Sequence, residues 1–173
     1  MVKAIIFDLD DTLLWDKKSV ETAFQVTCQL AAKKVPVDPS KLEGAVRIEA
    51  SELYASYDTH PFTKLIGINP FEGLWGTFDD EGELFQKMKT IVPAYRREAW
   101  TKGLLRVGID DSELGEQLAD HFPIARKAHP FLYKDTIQVL DRLKDSYQLV
   151  LLTNGSPSLQ QTKLEITAEL APY

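Results

Sequence analysis

Ala4-Ile5-Ile6-Phe7-Asp8-Leu9-Asp10-Asp11-Thr12-Leu13-Leu14 is an apolar run that ends in three acids within four residues. Ala4 to Phe7 reads as a buried strand, and the side-chain period of two puts Asp8 and Asp10 on one face. Two carboxylates therefore converge where the strand ends, with Asp11 crowding the same turn. Clustered acids repel one another unless a cation or a protonated member relieves the charge, so the arrangement is costly and points to chemistry.

The other end of the chain repeats the strand-then-turn pattern. Gln148 to Leu152 is a second apolar strand followed by Thr153, Asn154 and Gly155, and Ser156 then caps a helix that has Pro157 at its first position. Tyr133, Ile137, Leu140 and Leu143 mark a helix before it, and Asp145 to Tyr147 a turn. A strand, a long crossover, a helix and a second strand imply two parallel strands joined by a right-handed connection. Asp8, Asp10 and Thr153 then meet at the carboxyl edge, where open α/β sheets bind ligands.

Between the strands the pattern is helical. Asp16 or Ser19 is a candidate cap for a helix through Val20, Phe24, Thr27 and Ala31, ending before Pro36. Asp38 and Pro39 open a second helix to about Tyr57. Residues 58 to 82 read as a loop rich in Gly, Pro and aromatics. Helix resumes near Glu83 and is expected to kink or restart at Pro93. Asp110 or Asp111 caps a last helix from Ser112 to about His121. The reading is an α/β core of residues 1–15 and 130–173 with residues 16–129 inserted as a helical domain over the ligand edge.

Composition narrows the function classes. With 173 residues, 44% hydrophobic and 27% charged, the chain is long enough for one ordinary core or two small ones. Its apolar runs are far shorter than the roughly twenty residues of a spanning helix, and the amino terminus lacks the pattern of a secretory signal. Cys28 is the only cysteine, which excludes an internal disulfide and suits a packed thiol in a reducing compartment. A net charge of -6 argues against a nucleic-acid surface. The expectation is a soluble, cytoplasmic protein without a membrane or nucleic-acid partner.

Phe7-Asp8-Leu9-Asp10-Asp11-Thr12-Leu13 resembles the first motif of the haloacid dehalogenase superfamily, and Leu151-Leu152-Thr153-Asn154-Gly155 resembles its second. The helical insertion between them is similar to the C1 cap of the first subgroup. The resemblance implies a HAD-like, Rossmann-like parallel-sheet core and a Mg²⁺-dependent hydrolase acting on a small-molecule phosphomonoester. Asp8 is then the nucleophile that forms an aspartyl-phosphate, and Asp10 the acid that protonates the leaving alkoxide and afterwards the base that activates water. Mg²⁺ is held by Asp8 and by the backbone carbonyl of Asp10. Thr153 and the N–H of Asn154 hold the phosphoryl oxygens. An aspartate at position 10 disfavours dehalogenation, which needs no acid for a halide, whereas a phosphomutase shares the first step and stays open.

The resemblance also implies a lysine and an acidic pair beyond the second strand, and the chain ends at Tyr173 before either. Lys163 does not have the spacing of that lysine. A strand pair with unpaired edges is an incomplete core, so the expectation is a truncated product, completed by another chain or by domain swapping, or else a catalytically incompetent remnant that serves as a binding module.

Other patterns are weaker. Asp8-x-Asp10-x-Thr12 is no calcium loop, because its sixth position is Leu13 and its twelfth Ser19. His60, His121 and His129 lack ligand spacing, and Arg96-Arg97 and Arg126-Lys127 read as solvated helical faces.

Overall fold

In the computed structural model, which describes residues 3 to 173, strand β1 (Ala4–Phe7) lies parallel to β2 (Gln148–Leu151), with Ala4 opposite Gln148 and Phe7 opposite Leu151. The ladder continues at both ends: Gln148 N–H donates to the Lys3 carbonyl at 3.0 Å and Leu152 N–H to that of Phe7 at 2.9 Å. Met1 and Val2, included above in the core segment, lie outside the described residues. The segment between the strands is helical: α1 (Asp16–Ala32), α2 (Pro39–Ser56), α3 (His60–Ile66), α4 (Pro70–Gly73), α5 (Glu83–Arg106), α6 (Ser112–Ala128) and α7 (Thr136–Leu143). Helix α8 (Pro157–Glu165) and a 3₁₀ turn, Ala168–Leu170, follow β2. This is a small parallel sheet beside a helix-rich insertion, the α/β class expected from the two strand motifs.

Two apolar clusters hold these elements. Under the strands, Leu9, Leu13, Leu14, Leu140 and Leu170 are buried, with Phe7, Leu149 and Leu164 packed against them. A larger cluster joins α1, α2, α5 and α6 through Phe24, Val46, Tyr95, Trp100, Leu118 and Phe122, and Leu159 of α8 reaches into it. Helix α8 therefore has a side chain in each. The opposite face of the sheet stays in solvent, with Ile6 and Leu152 both more than 60% exposed. No helix among the described residues is long and apolar enough to cross a membrane.

The helix boundaries differ from the sequence expectation where packing overrides local signals. Residues 58 to 82 are not all loop. Pro61 and Pro70 sit in the first turns of α3 and α4, where a missing N–H costs nothing. Asn69 and Glu72 close a reciprocal capping box around α4. Pro93 neither ends nor restarts α5, whose buried Val92, Tyr95, Ala99 and Trp100 hold one helix through it. Helix α6 likewise passes Pro123 to Ala128, because Phe122 and Ala125 are buried. Neither Asp16 nor Ser19 caps α1. Asp11 Oδ1 accepts from Lys17 N–H at 3.1 Å, and Ser19 donates instead to the His129 carbonyl at 2.7 Å.

Cys28 is fully buried in α1, and that burial pushes its thiol up to about 12. The α2–α5 contact depends on Gly103, where an added Cβ would lie 2.4 Å from Val46 Cγ2 and 3.0 Å from Val46 Cα. Backbone atoms are part of that contact, so no rotamer change relieves it. Gly103→Ala is expected to lower stability by about 1 to 3 kcal/mol, seen as a reduced urea midpoint at unchanged slope. An unaltered midpoint would show that the two helices separate freely.

Candidate active site

Directly after β1 the chain turns back sharply. Leu13 N–H and Leu14 N–H both donate to the Leu9 carbonyl, at 3.0 and 2.9 Å, and Asp11 takes the left-handed conformation at φ 52° that the turn requires. Asp tolerates this region better than most non-glycine residues. Leu9 points down into the lower cluster and is fully buried, whereas Asp8 is exposed and Asp10 half-buried. The alternation inferred from the sequence thus continues past the last residue of β1.

Asp10 is held from one side. Its Oδ2 accepts from Lys163 Nζ at 2.7 Å and from Gln160 Nε2 at 2.9 Å, while Oδ1 is buried without a hydrogen-bond partner. Gln160 Nε2 also donates to Thr153 Oγ1 at 2.7 Å. One amide therefore ties the ends of the two strand motifs together. The Thr153 hydroxyl accepts from Gln160 and donates to the Asn154 carbonyl at 3.4 Å, a long contact that a stronger acceptor can replace. Asn154 is exposed, and its Cβ packs close to Gly67, where an added Cβ would come within 3.3 Å. Asp8 follows Phe7 and Thr153 follows Leu152, so the ladder places both at the carboxyl edge of the sheet.

Lys163 is the centre of a buried charge cluster. Its side chain is 1% exposed, and besides Asp10 it reaches Glu72 Oε1 at 2.8 Å and Asp16 Oδ1 at 3.9 Å. Burial alone would lower its pKa, but Glu72, Asp16 and Asp10 together outweigh that and hold it above the usual lysine range. Arg126, buried and not solvated as its sequence context suggests, pairs with Asp16 and lies over the Trp75 ring at 4.6 Å. Burial pushes the Asp16 carboxyl up against the opposing pull of Lys163 and Arg126. Two cations thus face three carboxylates, leaving one negative charge uncompensated before Asp8 and Asp11 are counted.

A second clasp joins the helical block to α8. Asp80 accepts from Ser158 N–H at 2.6 Å and from the hydroxyls of Ser156 and Ser158 at 2.5 and 2.9 Å. A carboxylate here faces the positive end of the helix dipole. Between α1, α2 and α4, a cavity of about 710 Å³ opens beside the acidic turn, lined by Asp11, Asp16, Lys17, Glu43, Arg47 and Phe71 among others. Arg47 is fixed there between the Phe24 and Phe71 rings, at 4.1 and 4.8 Å, and bonded to Glu43 at 2.8 Å.

The sequence points to the strand-end acids and Thr153, rejects Lys163 on its spacing, and does not single out Gln160, Glu72 or Asp80. A signal for two of these existed. Gln160 and Lys163 are three apart on α8 and so share a face, the face that points back at Asp10. Asn69-Pro70-Phe71-Glu72 is a readable capping box, although nothing local says that Glu72 also meets a lysine from beyond β2. The three histidines form no metal cluster, and among the described residues no group of three or more His, Cys, Asp or Glu side chains is placed to hold an ion. The donors near the turn are oxygens only, which suits Mg²⁺, a cation commonly bound by one or two carboxylates and otherwise by water and substrate phosphate.

A parallel strand pair presenting acids and a threonine hydroxyl at its carboxyl edge, with a helix-rich segment between the two strands, defines an α/β protein with a polar site at the sheet edge. The chain belongs to the haloacid dehalogenase-like hydrolases, whose family model matches residues 2–173. It is 26% identical to a phosphoserine phosphatase of Thermus thermophilus over 166 residues, covering 94% of this chain and 62% of that protein. Among solved structures, the HAD-hydrolase YfnB from Bacillus subtilis, bound to magnesium, superposes with a TM-score of 0.50 at 16% identity over 98% of this chain and 60% of its own. The 2-haloacid dehalogenase of Pseudomonas syringae pv. tomato DC3000 gives a TM-score of 0.41 at 20% identity, covering 99% of this chain and 62% of that one. The chain spans about 60% of the length of these relatives.

Asp80→Ala is expected to cost about 1 to 2 kcal/mol, as for loss of a strong helix cap, and to do so through faster unfolding of α8 in amide exchange. Equal exchange rates in the variant and the parent would show that Asp80 does not hold that helix.

Proposed function

We propose that the chain carries the nucleophile and the acid–base group of a Mg²⁺-dependent phosphomonoester hydrolase. The observation that carries this reading is the division of labour between the two strand-end acids. Asp8 is exposed and accessible to an incoming phosphorus, whereas Asp10 is oriented through Oδ2 and keeps Oδ1 unpartnered. A nucleophile must be free, and a proton donor must be aimed.

In this mechanism Asp8 attacks phosphorus and the ester oxygen departs, so that a slow hydrolysis becomes two easier displacements through an aspartyl-phosphate. Asp10 delivers a proton to the leaving oxygen and then takes one from the water that cleaves the acyl phosphate. The Thr153 hydroxyl and the N–H of Asn154 donate to the phosphoryl oxygens. Asp8 and the Asp10 carbonyl would hold Mg²⁺, which when bound offsets the repulsion between carboxylate and phosphate. The uncompensated negative charge around Lys163 supports a need for such a cation.

The helical block acts as the cap over this site, and the cavity between α1, α2 and α4 receives the leaving group. Its lining carries charges of both signs, Lys17 and Arg47 against Asp11, Asp16, Glu21 and Glu43, which suits a small polar leaving group that itself bears a cationic centre, such as a zwitterion. Similarity to a phosphoserine phosphatase agrees with that class.

Hydrolysis of p-nitrophenyl phosphate with Mg²⁺ tests the proposal. Wild type is expected to turn over the ester, chelation to abolish turnover, and Asp8→Asn to lower kcat by on the order of 10³-fold or more. Undiminished hydrolysis by Asp8→Asn would refute it.

A further inference from the structure

Lys163 spans the two parts of the molecule. It rises from α8 beneath the sheet edge, yet its ammonium is shared between Asp10 on the strand-end turn and Glu72 on α4 of the helical block. Glu72 arrives already oriented. Its Oε2 accepts from Asn69 N–H at 2.9 Å in the capping box, so Oε1 has one direction left and Lys163 lies along it. Both side chains are buried, which makes the contact dry and its geometry exacting. Around the same ammonium stand Asp16 of α1 and, one step out, Arg126 of α6.

We propose that Lys163 is a positioning residue that does two things with one ammonium: it aims the Asp10 carboxylate, and it latches the helical block over the site through Glu72. The inference rests on the phosphatase reading for the role of Asp10, but the latch does not depend on it. Lifting the block to admit substrate pulls Glu72 from Lys163, whereas the Lys163–Asp10 contact lies between α8 and the strand-end turn and is kept.

The two tasks separate in variants. Glu72→Gln keeps the capping box and removes the latch; Asp10→Asn removes the acid and leaves the latch; Lys163→Met removes both. Opening is read as the distance between spin labels at Leu65→Cys on α3 and Asp145→Cys before β2, both exposed positions, with buried Cys28 left in place and a parallel set in an Asp80→Ala background that lacks the second clasp. Acid positioning is read as the ratio of kcat/KM on p-nitrophenyl phosphate to kcat/KM on an alkyl phosphate, because a phenolate of low pKa leaves without a proton and an alkoxide does not, and kcat/KM excludes the later hydrolysis of the shared intermediate.

Glu72→Gln and Lys163→Met are expected to lengthen the label distance by several ångströms in part of the population, at least in the Asp80→Ala background. Asp10→Asn is expected to leave it unchanged. Lys163→Met and Asp10→Asn are expected to raise the aryl-to-alkyl ratio roughly 10- to 100-fold, within the range of general acid catalysis, with Lys163→Arg recovering part of the loss and Glu72→Gln leaving the ratio as in wild type. If Lys163→Met does not fold, the combined E72Q/K163M variant, with one charge of each sign removed, replaces it. A label distance unmoved in both backgrounds, or alkyl and aryl turnover lost in equal proportion, overturns the proposal. Absence of Asp8-dependent hydrolysis sinks the phosphatase reading alone, and the label distances then still decide the latch.

Discussion

A single buried ammonium organises this molecule. Lys163 is desolvated almost completely, and a charge in that position costs several kcal/mol unless its partners are close and well aimed. They come from three separate stretches of chain, at Asp10, Asp16 and Glu72, with Arg126 from a fourth counterbalancing Asp16. Each must be in register for the cost to be met, so α1, α4, α6, α8 and the strand-end turn are mutually located by one point. Such a cluster is a poor means of gaining stability, because well-packed apolar residues of the same volume commonly do as well or better. What it supplies is position, at the turn where Asp10 is held and Asp8 is left exposed.

The apolar packing is arranged around the same point. The lower cluster fixes the turn through Leu9, Leu13 and Leu14, and the upper cluster fixes the helices that bring Glu72 and Arg126. Helix α8 belongs to both, with Leu159 in the upper and Leu164 in the lower, and it carries Gln160 and Lys163 between them. The polar residues that touch Asp10 thus sit on the element least free to move relative to either part. By contrast, the outer face of the strand pair, with Ile6 and Leu152 in solvent, has no such constraint. Apolar side chains in a sheet face gain by being covered, and a covering segment from a longer or a second chain, as the family resemblance implies, is a proposal consistent with that exposure.

How much of this was legible in the sequence follows from the range of each interaction. Strand β1, the acidic turn, Thr153 and the caps at Asp38, Asp111 and Ser156 are local patterns, and each caps or ends the element that its sequence suggests. Pro93 reads as a break because a proline penalty of about 3 kcal/mol is legible locally, whereas the burial of Val92, Tyr95, Ala99 and Trp100 that outweighs it is not. Arg126 looked like surface because its neighbour Lys127 is charged and because nothing nearby in sequence announces Asp16, 110 residues away. Lys163 was set aside on spacing to an expected motif, whereas its role comes from a face of α8 that only the packing of the helical block reveals. Local chemistry is readable, but long-range charge pairing requires the fold.

The asymmetry at Asp10 has a further physical consequence. A carboxylate with both oxygens bonded to cations would be fixed but unable to exchange a proton, and one with neither bonded would rotate and lose the geometry that general acid catalysis needs. In the proposed mechanism, holding Oδ2 with two donors, one charged and one neutral, while leaving Oδ1 bare satisfies both demands. The neutral donor is the one that also grips Thr153, so any shift of the second strand end would be felt at the first through Gln160. Asp8, two residues earlier and exposed, is outside this scaffold. That contrast, one acid locked by the protein and one left to the solvent, is what distinguishes the pair from a cluster of surface carboxylates.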